Sequence, residues 1–113
     1  MADIVYINVE EGVKRVMNNT KLYAKLLVKF KDDANVKELE AAVAAGDLAK
    51  AQVSAHTIKG IAANLSLIEL QKQSLEIETQ IKSKSVAPDQ INILKNVYNQ
   101  TITEVDKVIE KYA

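Results

Sequence analysis

The pattern of apolar and polar positions along the chain predicts helices and gives no indication of a strand. Apolar residues recur every three or four positions over most of the sequence, which is the period of an amphipathic helix. Residues 1–7 lack this pattern and are expected to form a loose or extended lead-in. The predicted helices begin near residue 8, near residue 21 and after a kink or break at 32–35, and the later ones cover 48–65, 67–84 and the region from Pro88 onward.

Residues at the predicted helix ends have the chemistry of helix caps. Three four-residue patterns, led by Asn8, Asn35 and Ser66, carry glutamate at the fourth position, as a capping box does. Gly46 fits the position just after a helix, where glycine is favoured, and Asp47 fits the N-cap of the next helix. Pro88 fits the first turn of the last helix, where its missing N–H has no cost.

The apolar stripes predict how the helices pack. Short connections favour antiparallel neighbours, and the chain is long enough for one domain with its own core. We therefore expect an all-α fold: an up-down antiparallel four-helix bundle with an additional N-terminal helix, formed by residues 1–113 as a single domain. The residues expected inside are Leu22, Tyr23, Leu26, Leu27 and Phe30, then Leu48, Ala51, Ala55, Ile58, Ala62 and Leu65, then Leu67, Leu70, Ser74, Ile77 and Ile81 with Ile68 and Leu75 beside them, and finally Ile91, Leu94, Tyr98, Ile102, Val105, Ile109 and Tyr112.

The charge balance and composition narrow the functional classes. Fifteen basic and fifteen acidic side chains give a formal net charge of zero, so there is no electrostatic case for nucleic-acid binding. Cysteine is absent, which excludes thiolate metal ligands from this sequence and fits a reducing compartment. No stretch approaches the roughly 20 apolar residues of a membrane span, and the amino terminus lacks the features of a signal peptide. We expect a cytoplasmic protein that does not bind membranes.

His56 is the only histidine, and counting around its helix places it on the side that faces solvent. Its neighbours on that side include Gln52, Val53, Ala63 and Asn64, which are expected to form a contact surface. An exposed histidine on a helix is most often an ordinary surface residue, so its neighbours decide how it is interpreted.

Lys59 and Gly60 lie one turn after His56 and distinguish it from an ordinary surface histidine. Glycine inside a helix costs about 0.8–1 kcal/mol relative to alanine, and we expect that any side chain at Gly60 would crowd the imidazole. A cation such as Lys59 beside an imidazole favours the neutral, nucleophilic ring and would also favour a phosphoryl group attached to it. Alternatively, Lys59 is a solvated charge and Gly60 permits close packing between helices.

The segment His56-Thr57-Ile58-Lys59-Gly60, followed by Ile61-Ala62-Ala63-Asn64-Leu65, resembles the signature of the histidine-containing phosphotransfer (HPt) domain family. Two positions depart from the family pattern: Ile61 replaces serine or another small residue, and Ser66-Leu67 replaces a glycine and a small residue. The histidine, lysine and glycine are intact, so the departures bear on partner choice more than on chemistry. The resemblance extends over about residues 8–80 and includes Glu11-Gly12-Val13, Leu22-Tyr23 to Phe30, Gly46-Asp47, Leu70 and Leu75-Glu76.

The resemblance implies a carrier in a phosphorelay. His56 would accept a phosphoryl group at Nε2 from an aspartate of a response-regulator receiver domain and pass it to another receiver, with Lys59 neutralising phosphate charge. No glycine-rich nucleotide loop is present, so we expect neither a kinase nor another enzyme. The Mg²⁺ ion and the phosphorylatable aspartate are expected on the receiver, and no cofactor is expected on this chain. The expected partners are receiver domains and a hybrid sensor histidine kinase, and the chain is expected to be a monomer.

Other functions fit the sequence less well. A metal site needs several ligands and serine hydrolysis needs a base held by a third group, and neither constellation is visible. A rival interpretation is an interaction module that binds receivers or kinases without taking phosphate, with Ile61 and Leu67, if exposed, as its binding patch. A weaker one is a generic helical adaptor or dimerisation bundle, for which removal of His56 would change nothing.

Overall fold

The computed structural model describes residues 4–112, in which six helices form the fold. Residues 4–8 precede the first helix without regular structure, and the rest of the expected lead-in lies outside the described residues. No strand occurs within residues 4–112, and the all-α prediction is confirmed. The helices are α1 Val9–Arg15, α2 Thr20–Lys31, α3 Asn35–Ala44, α4 Leu48–Leu65, α5 Ile68–Lys82 and α6 Gln90–Tyr112.

The bundle consists of α2, α4, α5 and α6, with α1 and α3 packed against α4. The pairs α4–α5, α5–α6 and α6–α2 are in contact, and α2 also touches α4, which closes the ring around one core. Short connections make consecutive helices antiparallel, so the predicted up-down bundle with an N-terminal helix is confirmed. The large apolar side chains with essentially no exposure are Tyr23, Leu27, Leu39, Ile58, Leu67, Leu70, Ile77, Leu94 and Val105.

The kink or break expected at 32–35 is a complete break between α2 and α3. Asp33 Oδ1 accepts the backbone N–H of Asn35 at 2.8 Å and its side-chain amide at 2.7 Å. Ala34 is the N-cap of α3 and makes no side-chain cap bond. The capping box predicted at Asn35 is therefore wrong, because Asp33 satisfies the free N–H group from outside the helix.

The start of α4 is determined by the two residues before it. Gly46 has the left-handed φ of +73°, and its N–H donates to the Val43 carbonyl at 3.1 Å while that of Asp47 donates to the Ala42 carbonyl at 2.9 Å. This Schellman arrangement satisfies the last carbonyls of α3. The Asp47 side chain then accepts the N–H of Lys50 at 3.1 Å as the N-cap of α4. Both predictions are confirmed, and together they set the register of the helix that carries the histidine.

Ser66 ends α4 instead of beginning α5. It adopts the left-handed conformation at φ 58° and ψ 41°, and the following N–H of Leu67 donates to the Ala62 carbonyl at 2.8 Å. The Ser66 hydroxyl donates to Glu11 Oε1 at 2.9 Å, and its carbonyl accepts the N–H of Asn8 at 2.9 Å. The predicted N-cap at Ser66 is wrong, because the left-handed turn aims its side chain at α1 rather than at the start of α5.

The first helix has the cap that the sequence predicted, but not the whole capping box. Asn8 Oδ1 accepts the N–H of Glu11 at 3.1 Å, as an N-cap should. Glu11 does not return the bond to Asn8, because its carboxylate accepts from Ser66 and lies 3.3 Å from the Arg15 guanidinium. The Glu11 carboxylate therefore links α1 to the end of α4 instead of completing the capping box of α1.

Gly12 and Tyr23 make the closest packing between α1 and α2. Gly12 is buried against the Tyr23 ring, and the Tyr23 hydroxyl donates to the Leu65 carbonyl at 2.6 Å. Burial, and secondarily the negative charge of Glu11, raise the pKa of Tyr23 to about 12. The tyrosine thus joins α2 to the last residue of α4 beneath α1.

Some predictions about burial and helix bounds are wrong. Leu22, expected inside, is 40% exposed, and Leu75, expected beside the inner residues of its helix, is 53% exposed. Helical spacing identifies the inner side of a helix, but it does not tell how far neighbouring helices cover that side. The fifth helix ends at Lys82 rather than near residue 84, and Pro88 lies in the turn before α6 rather than in its first turn. The remaining predicted core residues are buried or half-buried.

Candidate functional site

One side of α4 is buried in the core and the opposite side exposes His56. Ala51, Ala55, Ile58 and Ala62 are at most 2% exposed, whereas the His56 side chain is 71% exposed. The structure thus places the imidazole where helical counting expected it. Because the other side of α4 is packed, the ring is presented on a rigid element.

The surface beside His56 is open at Gly60. Within residues 4–112, a Cβ added at Gly60 would meet no atom within 4 Å outside the adjacent residues and backbone of its own helix. The expectation that any side chain there would crowd the imidazole is wrong for alanine, because the exposed helix surface leaves room for a methyl group. Close helix packing does not explain Gly60 either, since no other helix approaches it within that distance. Gly60 thus leaves the exposed surface one turn after His56 without a side chain.

A buried glutamate of α5 lies against both His56 and Lys59. The Glu78 side chain is 5% exposed, with Oε2 at 3.5 Å from His56 Nδ1 and Oε1 at 3.0 Å from Lys59 Nζ. No hydrogen bond within the described residues reaches Oε1, so an ion-pair contact with Lys59 balances its charge. A buried carboxylate without a partner is strongly destabilising, and the contact with Lys59 offsets this cost.

Glu78 gives the two ring nitrogens of His56 different surroundings. Nδ1 faces a carboxylate, which can only accept, and this favours the tautomer with the proton on Nδ1. Nε2 then carries the lone pair, and it is the nitrogen farther from Glu78. The 3.5 Å contact is long for a hydrogen bond, but contacts of this kind commonly tighten when a reaction partner binds. The arrangement favours Nε2 as the exposed nucleophile.

Lys59 does not act on the imidazole alone. Its side chain is 28% exposed and its ammonium group is directed to Glu78. The ring therefore has one cation and one anion as neighbours, instead of the single cation expected from the sequence. The expectation of a lone cation beside the imidazole is therefore wrong.

The residues expected to form a contact surface around His56 differ in exposure. Gln52, Val53 and Asn64 are exposed, and Ala63 is half-buried. Val53 is a large apolar side chain that is 67% exposed. The structure therefore leaves most of this surface accessible, with one apolar residue in it.

Other apolar residues near the site depart from what the sequence suggested. Leu75 is exposed and lies one turn before Glu78 on the same side of α5. Ile61 is half-buried and, with Asn64, lines a groove of about 570 Å³ between α1, α2 and α4. Leu67 is completely buried, so its suggested place in a binding patch is wrong.

Residues 4–112 hold no group of three or more metal-ligating side chains arranged to bind an ion. In the same range, no helix has both the length and the apolar composition needed to span a membrane.

Glu78 is the residue of the site that sequence analysis missed. It lies four residues after Ser74 and three before Ile81, both predicted inward, so helical counting places a charge on the core side of α5. A carboxylate at such a position needs a partner, and this signal could have identified it. The identity of its partners depends on how α4 and α5 pack, which spacing within one helix does not determine.

A comparison of the chain with family models finds a match. The Hpt domain model matches residues 25–108, a span that contains His56, Lys59, Gly60 and Glu78 and that covers well over half of the chain. No curated protein and no solved structure matches the chain significantly. The match agrees with the resemblance seen in the sequence around the histidine. The chain therefore belongs to the Hpt domain family.

Proposed function

We propose that this chain is a phosphorelay carrier that accepts a phosphoryl group on His56 and passes it on. Hpt domains are phosphocarrier modules rather than kinases, and they interact with receiver domains of two-component systems. The observation that best supports the proposal is the exposed imidazole of His56, with Nδ1 turned toward the buried Glu78 carboxylate. This arrangement leaves Nε2 free to attack a phosphorus atom that approaches from the solvent side.

In the proposed step, His56 Nε2 attacks the phosphorus of an aspartyl phosphate on a receiver domain. The N–P bond forms as the P–O bond to the aspartate breaks, the aspartate leaves as a carboxylate, and the Nδ1 proton stays on the ring. The reverse bond changes pass the group to the aspartate of a second receiver. Phosphoryl transfer of this kind depends mainly on positioning and on charge neutralisation.

The chain and its partner divide these tasks in the proposal. Glu78 orients the imidazole, Lys59 contacts the phosphoryl oxygens, and the receiver brings both the aspartate and the Mg²⁺ ion. The exposed residues Gln52, Val53 and Asn64, with the open surface at Gly60, form the receiver contact surface. The half-buried Ala63 and the exposed Leu75 of α5 are included in this proposed surface.

Membership of the family supports a proposed setting for the carrier. Receiver domains and a hybrid sensor histidine kinase are the proposed partners, and the carrier acts in the cytoplasm as a monomer. It would depend on the kinase for the supply of phosphoryl groups.

Incubation with a phosphorylated receiver domain and Mg²⁺ tests the proposal. We expect an acid-labile, base-stable phosphate on the wild-type chain and none on His56→Gln, with an unchanged helical circular dichroism spectrum. Lys50→Ala, a change at an exposed residue of the same helix, is the matched control and should be labelled like the wild type. Label that persists on His56→Gln contradicts the proposal, and receiver binding without any label favours a pure interaction module instead.

A further inference from the structure

Glu78 is a charged residue in a position where charge is costly. Its side chain is 5% exposed, and within residues 4–112 its ion-pair contacts are those with Lys59 Nζ at 3.0 Å and His56 Nδ1 at 3.5 Å. A glutamine would have nearly the same shape and could accept from Nδ1 without bringing a charge that needs balancing. The structure therefore raises the question of what the negative charge does.

Phosphorylation changes the charge balance around Glu78. Before transfer, the neutral ring, the Lys59 ammonium and the Glu78 carboxylate sum to zero. After the N–P bond forms at Nε2, the ring still holds its Nδ1 proton and is cationic, and the phosphoryl group adds two negative charges. The single ammonium of Lys59 is then attracted by two anionic groups, one of which already holds it at 3.0 Å.

We propose that the charge of Glu78 makes His56 a carrier that readily releases its phosphoryl group rather than a store for it. The inference rests on the proposed function and concerns the stability of the phosphorylated state. The carboxylate retains Lys59, so the phosphoryl group is less neutralised than it would be beside a free lysine. The carboxylate also stabilises the cationic ring, and a protonated imidazole is the better leaving group when the N–P bond breaks. Both effects lower the stability of the N–P bond.

The lifetime of the phosphorylated chain tests this inference without a partner protein. Phosphoramidate serves as a small donor: its P–N bond breaks as the bond to Nε2 forms, and ammonia leaves. After removal of the donor, hydrolysis breaks the N–P bond, water supplies the new P–O bond, and Nε2 regains its lone pair. We expect the phosphate on Glu78→Gln to persist about tenfold longer than on the wild type, the effect of removing one close charge.

Two controls separate the charge of Glu78 from general effects on the bundle. Glu76→Gln removes an exposed carboxylate from the same helix and should leave the lifetime unchanged. Lys59→Gln should shorten the lifetime, because the phosphoryl group then has no nearby ammonium. If Glu78→Gln does not fold, the double variant Lys59→Gln/Glu78→Gln takes its place. Its phosphate lifetime, compared with that of Lys59→Gln, measures the effect of the Glu78 charge when residue 59 carries no charge.

A spectroscopic measurement distinguishes this effect from a purely structural one. In a long-range ¹H–¹⁵N spectrum at neutral pH, the phosphorylated ring should retain its Nδ1 proton to a larger fraction in the wild type than in Glu78→Gln. Equal lifetimes and equal protonation in the two proteins overturn the inference and leave the proposed function intact. A wild-type chain that takes no phosphate from phosphoramidate or from a receiver overturns both.

Discussion

Gly12 and Tyr23 are packed so closely that a Cβ on the glycine would overlap the tyrosine hydroxyl oxygen. The ring cannot move away without loss of the 2.6 Å bond from this hydroxyl to the Leu65 carbonyl. We therefore predict that Gly12→Ala lowers the free energy of unfolding by about 1–3 kcal/mol, through overpacking and the strained hydrogen bond. Urea denaturation measures the change, and wild-type stability in this variant would show that the contact is not tight.

Tyr23 should also make stability depend on alkaline pH. Its pKa is raised to about 12 in the folded chain, whereas the unfolded value is 10.0, so the unfolded state loses the proton first as pH rises. The stabilisation is fully present below pH 10 and is lost between pH 10 and about 12. Tyr23→Phe should be less stable than the wild type by about 1–3 kcal/mol at neutral pH, because the Leu65 carbonyl loses its donor. The difference in unfolding free energy between the two proteins should narrow above pH 10. A difference that stays constant as the pH rises contradicts the raised pKa of Tyr23.

Substitutions at Gly60 can separate the access of a partner protein to His56 from the reactivity of the imidazole itself. Gly60→Ala should raise the free energy of unfolding by about 0.8–1 kcal/mol, since the methyl group meets no neighbour and alanine favours the helix. Gly60→Leu should slow transfer from a receiver domain by about tenfold, a loss of roughly 1.4 kcal/mol in transition-state stabilisation. Labelling by the small donor phosphoramidate should be nearly unchanged. Equal slowing with both donors would mean that the leucine disturbs His56 itself rather than the approach of a partner.

Lys59 should contribute to both stability and transfer. Lys59→Ala leaves the Glu78 carboxylate buried without its ammonium partner, and we predict a loss of about 1–3 kcal/mol in the free energy of unfolding. Transfer from a receiver should also be slower, whereas Lys50→Ala should change stability by less than about 0.5 kcal/mol. The double variant Lys59→Ala/Glu78→Gln should recover part of the stability. No recovery in this cycle would show that the two side chains are not coupled.

The local parts of the fold could be predicted because their partners are close in sequence. The Asn8 and Asp47 side chains cap N–H groups three residues away, and Gly46 closes α3 through carbonyls of the preceding turn. The errors occur where a distant partner decides the outcome. Ser66 has the spacing of an N-cap, but Glu11 from α1 accepts its hydroxyl hydrogen across the fold.

The same distinction applies to the site. The exposure of His56 and the proximity of Lys59 follow from the periodicity of one helix, so the sequence could predict them. The role of Glu78 depends on the packing of α5 against α4, which brings its carboxylate to both residues. This packing changes the electrostatics of the site. The sequence predicted Lys59 as a lone cation beside the imidazole, whereas in the structure Lys59 is paired with Glu78. The roles proposed for His56, Lys59 and the contact surface remain predictions for experiment.

The central claim is that His56 Nε2 carries a phosphoryl group, and NMR of the phosphorylated chain tests it most directly. Because the chain contains one histidine, a ¹⁵N–³¹P coupling observed on an imidazole is assigned without ambiguity. After incubation with a phosphorylated receiver domain and Mg²⁺, we predict one phosphorus signal coupled to Nε2, with the proton remaining on Nδ1. A phosphorus signal coupled to Nδ1, a phosphate on any other residue, or a chain that binds the receiver and stays unphosphorylated would contradict the account.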